Sequence, residues 1–127
     1  MKESVVVRDG MWAFAHYGFQ VLMPGWKTPY DVPFGQGVVW RNNVGGMRDK
    51  TGRHFVRFGV NGMPDIMGFT KDGLTIGAEA KVPGEKPTEL QEWFGEMMTR
   101  AGGIWFWFDS YDSCAEGLKK NGFARSQ

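Results

Sequence analysis

The stretch PDIMGFTKDGLTIGAEAKV, residues 64–82, decides the fold. The dipeptide Asp72-Gly73 is a favoured two-residue hairpin turn, so the stretch predicts two strands, over 66–70 and 74–82. In the second strand, apolar residues alternate with glycine and charged residues. Because successive side chains of a strand point to opposite faces, we expect the apolar set to face the core. Glu79 and Lys81 then emerge together on the other face.

Charged residues of this hairpin match the needs of phosphodiester hydrolysis. The reaction at neutral pH is helped by a divalent cation that polarises the phosphate and lowers the pKa of an attacking water. Mg²⁺ prefers oxygen ligands, so Asp65 and Glu79 could supply a carboxylate pair and the Ala80 carbonyl a third oxygen. Lys81 could hold the water or stabilise the developing charge. The alternatives are a plain turn residue after proline for Asp65 and a solvated strand face for Glu79 and Lys81.

A helix is predicted over residues 88–101, directly after the hairpin. Apolar residues recur there at spacings of three and four, and Thr88 with Gln91 matches a capping box. The apolar stripe consists of Leu90, Trp93, Phe94, Met97, Met98 and Ala101. The run Ile104–Phe108 then predicts a strand buried on both faces, with its two tryptophans in the core. Stacking of Trp105 and Trp107 on single-stranded DNA is the alternative.

The remaining segments complete the pattern of an α/β protein. Residues 3–18 predict an N-terminal helix, although Gly10 weakens its pattern, and proline and glycine punctuate 24–37. Further strands are predicted at 38–41 and 55–60, and a short last helix begins after Ser110 and ends at Asn121-Gly122. The order helix, strands, helix, strand, helix predicts an α/β fold, a mixed central β-sheet flanked by helices.

Length and composition bound the class of protein. The 127 residues leave room for a single domain, 1–127. The chain holds 19 Gly with 10 Phe, 6 Trp and 3 Tyr, so we expect a core rich in aromatic rings. Glycine follows no period and only 23% of residues are charged, which excludes collagen-like and highly charged disordered chains.

Charge is distributed unevenly although the formal net charge is only +1. Residues 41–57 carry five basic side chains against Asp49 alone, whereas 79–96 carry five acids against two lysines. A basic stretch together with an acidic one favours a protein that holds a polyanion next to a cation. The alternative is that both stretches are ordinary solvated faces. The candidate phosphate contacts are Arg41, Arg48, Lys50, Arg53 and Arg57.

The single cysteine and the lack of a long apolar run limit the kinds of site and the cellular location to expect. Cys114 is the one cysteine, which excludes an intrachain disulfide and a zinc site built from cysteines. The longest strongly apolar run, Ile104–Phe108, is far too short to span a membrane. We therefore expect a soluble, cytoplasmic protein with no membrane partner.

Three segments carry a resemblance to a known family. They are NGMPDIMG at 61–68, EAKVPG at 79–84 and PTELQEW at 87–93, and they resemble the core of the VRR-NUC family, a branch of the PD-(D/E)xK nuclease superfamily. Residues 39–43, 55–59 and 101–103 are similar to its stand-alone phage and bacterial members. The resemblance covers residues 38–118, and its motifs follow one another in the same order as in the family. It implies a restriction-endonuclease-like core, preceded by the N-terminal helix and a Pro/Gly-rich excursion at 19–37.

The resemblance also implies roles for individual residues. Asp65 and Glu79 would be metal ligands, Lys81 the catalytic lysine and Gln91 an active-site glutamine. Glu3 matches the acidic residue near the start of the first helix that completes the family's site. Capping alone is the alternative for Gln91, and a favourable charge in a first helical turn is the alternative for Glu3. Ala80 departs from the family's common valine between the glutamate and the lysine.

The expected function is a Mg²⁺- or Mn²⁺-dependent endodeoxyribonuclease that leaves 5′-phosphate products. Stand-alone members of this size resemble Holliday-junction resolvases, so the resemblance implies a homodimer that cuts branched DNA in a structure-selective way. Two alternatives remain open at this point. One is a non-catalytic DNA-binding module that uses the basic residues 41–57 and exposed aromatic residues. The other is a restriction-type nuclease that recognises a DNA sequence.

Overall fold

A five-stranded sheet with three helices organises the chain. The computed structural model describes residues 1–42, 46–48, 50–57 and 59–126. The α-helices are α1 (Glu3–His16), α2 (Glu89–Arg100) and α3 (Tyr111–Lys120), and Pro29–Asp31 forms a short 3-10 helix. The strands are β1 (Phe19–Leu22), β2 (Gly37–Arg41), β3 (Gly46–Arg48), β4 (Phe55–Arg57), β5 (Ile66–Thr70), β6 (Thr75–Ala80) and β7 (Ile104–Phe108). Among the described residues, no helix has the length and apolar character needed to cross a membrane.

The large sheet is mixed, with the strand order β1-β2-β5-β6-β7. β1 pairs with β2, and β6 with β7, in parallel, whereas β5 is antiparallel to both of its neighbours. Four strands therefore end at one edge of the sheet, the same edge at which β5 begins. We call it the carboxyl edge. The predicted α/β class, with a mixed sheet flanked by helices, is confirmed.

The predicted hairpin is present as β5 and β6, joined by a turn in which Gly73 has φ +85°. Its surroundings differ from the prediction, because β6 is buried on both faces. Ile76 and Ala78 lie in the core on one face, while Gly77 on the other face lies against Met98 of α2. Glu79 is consequently only 1% exposed and Lys81 only 8%. The alternative of a solvated strand face is wrong.

The principal core lies between the sheet and the pair α1 and α3. Gly10 of α1 faces the buried ring of Phe108, and a Cβ at Gly10 would lie 2.3 Å from that ring. The glycine that weakens the sequence pattern of the helix is therefore required by the packing. Gly117 of α3 likewise lies under the ring of Phe106. Both residues let a helix approach the aromatic strand β7 closely.

Replacing Gly10 with alanine should destabilise the protein by about 1–3 kcal/mol, because the added methyl group overpacks against Phe108. Helix propensity alone gives the opposite sign, a gain of up to about 1 kcal/mol. Urea unfolding of the variant and the native protein measures the difference. A variant that is more stable than the native protein would contradict the close contact.

The second helix contacts the sheet through a face that overlaps the predicted stripe only in part, at Phe94 and Met98. Its capping box is present at Thr88, but the buried residues of α2 are Gly95 and Met98. Four residues of the predicted stripe, Leu90, Trp93, Met97 and Ala101, are exposed. The reason is the bulk of Trp105 on β7, whose indole lies where a side chain at Gly95 would be. The helix therefore presents its smallest residue to the sheet.

Strand β7 is not buried on both faces, so this prediction is wrong. Phe108 is its one fully buried residue, Trp105 is partly covered by α2, and Trp107 is 38% exposed. The cause is position, since β7 is an edge strand and α2 covers only part of it. The prediction of a core position therefore fails for Trp107, which points to the same face as its register partner Glu79.

The segment before the hairpin holds strands that the sequence pattern missed. β1 lies inside the predicted excursion 19–37, and it pairs with β2, which confirms the strand predicted at 38–41. The strand predicted at 55–60 is shorter than expected, and as β4 it pairs with β3 in a separate two-stranded sheet. The predicted last helix is confirmed as α3, with Ser110 at its N-cap.

Candidate metal centre

Three carboxylates converge at the carboxyl edge. Glu3 is the first residue of α1, Asp65 immediately precedes β5, and Glu79 is the penultimate residue of β6. One carboxylate oxygen from each lies within 4.8 Å of the other two. Glu3 is the most exposed and Glu79 the most buried of the three. The structure thus brings together the two acids of the hairpin and the distant acid that the resemblance implied.

Asp65 is held in place by both neighbouring strands. Its Oδ2 accepts a hydrogen bond of 2.9 Å from the backbone N–H of Ala80. Its own carbonyl accepts a bond of 2.6 Å from the backbone N–H of Asn42, and the Asn42 side chain donates to the carbonyl of Pro64 at 3.3 Å. Asn42 is a positioning residue that sequence reasoning missed: it lies in the stretch 39–43 that carries part of the resemblance, but the resemblance implied no role for it.

Glu79 is a buried carboxyl group with incomplete hydrogen bonding. Its Oε1 accepts a bond of 3.2 Å from Gln91 Nε2, but its Oε2 has no hydrogen-bond partner among the described residues. Burial raises the pKa of Glu79 to about 10. Asp65 acts in the same direction, first through a side-chain hydrogen bond to the protonated carboxyl and then through its charge, and Glu3 adds a weaker contribution. Lys81 opposes this shift. Burial is also the main cause that raises the pKa of Glu3, followed by the charge of Asp65.

A divalent cation fits this donor set. The Oε2 of Glu79 is a buried oxygen that no N–H or O–H of the described residues reaches, so it needs either a proton or a cation, and unsatisfied buried polar atoms are rare in proteins. Oxygen donors at close range are the ligands that Mg²⁺ and Mn²⁺ prefer. Glu3, Asp65 and Glu79 are therefore the residues that could hold such an ion. The predicted role of the Ala80 carbonyl as a further ligand stays a prediction.

Lys81 brings a buried positive charge to the centre. Its charge lowers the pKa of both Glu79 and Glu3, which places the ammonium group near the acids. In the part of the chain that the structure describes, no ion pair includes Lys81. Its backbone N–H donates to the carbonyl of Phe108 at 2.9 Å, which fixes the residue just beyond the end of β6. The ammonium group is thus close to the acids without being neutralised by direct contact.

Gln91 has two partners, one for each of its predicted roles. Its Oε1 accepts a bond of 2.8 Å from the backbone N–H of Thr88, which completes the capping box, and its Nε2 donates to Glu79. The cap and the contact with the acid are therefore compatible interpretations. The N-terminus of α2 and the buried carboxyl group share one amide.

Two substitutions should separate the capping role of Gln91 from its contact with Glu79. Thr88→Ala should lower stability by about 1 kcal/mol through loss of the N-cap and leave the metal centre intact. Gln91→Glu keeps an acceptor for the Thr88 N–H but replaces the donor to Glu79 with a negative charge. We expect this variant to change metal affinity and any metal-dependent activity by about 10–100-fold. Isothermal titration with Mn²⁺ measures the metal affinity of both variants. Equal changes of affinity in the two variants would show that capping is the only role of Gln91.

The predicted DNA contacts fall into three groups. Arg41 is exposed at the end of β2, on the carboxyl edge. Lys50 and Arg53 are exposed between β3 and β4, outside the large sheet. The side chains of Arg48 and Arg57 lie outside the described residues, as does Asp49. Binding of DNA by these residues stays a prediction.

Comparison with known proteins identifies no relative. No family model matches the chain, and neither the search of curated proteins nor the search of solved structures finds a match. The arrangement of charged groups at the carboxyl edge is therefore the basis for any functional conclusion.

Proposed function

We propose that this protein is a metal-dependent nuclease that hydrolyses phosphodiester bonds of DNA with Mg²⁺ or Mn²⁺. One observation carries the proposal: three carboxylates within 4.8 Å, one of which has a buried oxygen without a partner, beside a buried lysine outside any ion pair among the described residues. An acidic cluster binds a cation, but the unpaired lysine adds a group suited to an anionic transition state.

In this mechanism some residues would hold the cation and another would act on the attacking water and the phosphate. A bound cation would lower the pKa of a water molecule and polarise the phosphate. Glu3, Asp65 and Glu79 would hold it, with Gln91 fixing the orientation of the Glu79 carboxyl. The Lys81 ammonium would orient the attacking water and stabilise the charge on the phosphorus oxygens. The water oxygen forms a bond to phosphorus and loses a proton to solvent, while the bond to the 3′ oxygen breaks and that oxygen takes up a proton from solvent, which leaves a 5′-phosphate and a 3′-hydroxyl.

Membership of the PD-(D/E)xK superfamily, and of its VRR-NUC branch, is part of the proposal. It is supported by the order of elements around the centre, in which a helix with an acid in its first turn precedes an antiparallel hairpin. Asp65 stands at the start of that hairpin, and Glu79-Ala80-Lys81 at its end. This order agrees with the sequence resemblance over 38–118.

Branched DNA as substrate and a homodimer as the active species complete the proposal. One centre per chain favours a two-fold dimer for cutting two opposed strands, as a Holliday junction requires. The exposed arginine at the carboxyl edge, Arg41, supports a nucleic-acid partner.

The test is cleavage of labelled four-way junctions and linear duplex in Mg²⁺, Mn²⁺ or EDTA. We expect cleavage with either metal, none in EDTA, and loss of cleavage with retained DNA binding in Asp65→Asn. The matched control is Asp72→Asn, which changes an exposed acid at the opposite end of the same hairpin and keeps a favoured turn sequence.

Two outcomes would redirect the assignment. Salt-sensitive DNA binding without cleavage in any metal would identify a non-catalytic DNA-binding module and overturn the nuclease proposal. Cleavage of linear duplex at fixed positions would identify a nuclease that recognises a sequence rather than a branch.

A further inference from the structure

A wide groove lies next to the metal centre and shares none of its residues. It has a volume of about 1340 Å³, and α1, the end of β1, the loop that follows β1 and the end of β2 form its walls. We call it the aromatic groove. The residues that give it its character are Arg8, Trp12, Trp26, Trp40, Arg41 and Phe69.

The sheet topology places this groove beside the candidate ligands. β1 and β2 end at the carboxyl edge, where β5 begins directly after Asp65. Arg41 of the groove precedes Asn42, whose backbone N–H donates to the Asp65 carbonyl. On its other side the groove follows α1, the helix whose first residue is Glu3. A polymer bound at the metal centre would therefore extend into the groove.

The lining combines exposed indole rings with positive charge. Trp12 is 58% exposed and Trp26 is 53% exposed, a large apolar area for a surface that faces water. Trp12 lies beside His16, one turn along α1, with a distance of 5.8 Å between the ring centroids. Trp40 and Phe69 pack edge to face at 5.7 Å on adjacent strands, on the face of the sheet away from α1. The groove therefore carries aromatic rings on both sides of the sheet, at the end of the edge strand β1.

The charges of the groove favour a polyanion over an apolar peptide or a second copy of the chain. The described residues that line it include two arginines and no aspartate or glutamate. Arg41 is exposed and forms no ion pair within the described part of the chain, whereas Arg8 pairs with Asp9 at 3.2 Å. Positive charge with interspersed aromatic rings is the combination that binds single-stranded nucleic acid, because unpaired bases expose their faces for stacking.

We propose that the aromatic groove binds an unpaired stretch of DNA adjoining the strand that is cut. The bases stack on Trp12 and Trp26, and Arg41 contacts the phosphates between the groove and the metal centre. This inference rests on the proposed function and narrows its substrate class. Within the class of branched DNA, the preferred substrate is a duplex with a single-stranded arm, such as a flap or a splayed end, rather than a fully paired four-way junction, because paired arms offer no free base faces.

The test measures binding of a fluorescein-labelled oligothymidine in EDTA, where no cleavage occurs. The double variant Trp12→Ala/Trp26→Ala should weaken binding at least about tenfold. The matched control is Trp93→Ala, which removes an equally exposed tryptophan, 59% exposed, from α2 outside the groove. It should bind within about twofold of the native protein. Quenching of tryptophan fluorescence by the oligonucleotide should shrink in the double variant only.

A second variant and a second readout keep the proposal falsifiable. Arg41→Gln should weaken binding and reduce its salt dependence by about one counterion. Unchanged oligothymidine binding in the double variant, or equal weakening in Trp93→Ala, would overturn the proposal. Light scattering measures the mass of the protein in solution and so tests for a second copy of the chain in the groove. A double variant that loses self-association but keeps oligothymidine binding would identify the groove as an interface between copies. Oligothymidine binding that depends on Trp12 and Trp26, together with no cleavage of any DNA in Mg²⁺ or Mn²⁺, would support the groove proposal and contradict the proposed nuclease function.

Discussion

Replacing Lys81 with methionine should lower the rate of metal-dependent DNA cleavage by about 10²–10⁴-fold. The expected loss is large because the ammonium group is buried next to three carboxylates and lies outside every ion pair of the described residues. Its charge is therefore available for the attacking water and the transition state. Methionine keeps the length and the apolar stem of the side chain, so the fold should be retained.

The measurement is single-turnover cleavage with the protein in excess over DNA. Lys71→Met is the matched control, since it removes an exposed lysine from the turn region of the same hairpin. Mn²⁺ binding should persist in Lys81→Met, which separates loss of chemistry from loss of the ion. Cleavage at the native rate would remove Lys81 from the reaction and leave a role in charge balance alone.

The second large effect is a dependence of stability on pH in the metal-free protein. Burial and the neighbouring acids raise the pKa of Glu79 to about 10, so the folded state holds a proton that the unfolded state releases near pH 4.5. The stabilisation is complete below pH 4.5 and is lost as the pH rises toward 10. The expected slope is up to about 1.4 kcal/mol of unfolding free energy per pH unit.

Urea unfolding in EDTA between pH 5 and about pH 9 checks this effect against the variant Glu79→Gln. The amide is neutral at every pH, so the variant should lack the contribution and become relatively more stable as the pH rises. Addition of Mg²⁺ at neutral pH should stabilise the native protein and not the variant, because a cation replaces the proton at the carboxylate. Parallel stability curves in EDTA would mean that Glu79 is ionised throughout.

The sequence predicts the hairpin well because its information is local. A favoured turn at Asp72-Gly73 and the alternation before Glu79 are enough to place β5 and β6, and the capping box places the start of α2. The four residues of β1 escape detection since a strand this short inside a Pro/Gly-rich segment has too little pattern. Its existence depends on pairing with β2, which no local signal encodes.

Predictions that depend on contacts between distant elements are the ones that fail. The exposed face of α2 follows from the bulk of Trp105, which takes the space beside Gly95, and periodicity within the helix cannot reveal it. Asp65, Glu79 and Lys81 are found from the hairpin alone. Glu3 was implied only by the family resemblance, and the aromatic groove was missed because its tryptophans come from three separate elements.

The origin of the three carboxylates has a consequence for the order in which the protein folds. Asp65 and Glu79 lie on a single hairpin with a short loop, a contact of low sequence separation that forms on a microsecond timescale in isolated hairpins. Glu3 lies 62 residues before Asp65, and it reaches the other two only when α1 docks on the sheet. The complete centre therefore forms only after a long loop has closed, and the rate at which Mn²⁺ binding appears during refolding would report the docking of α1.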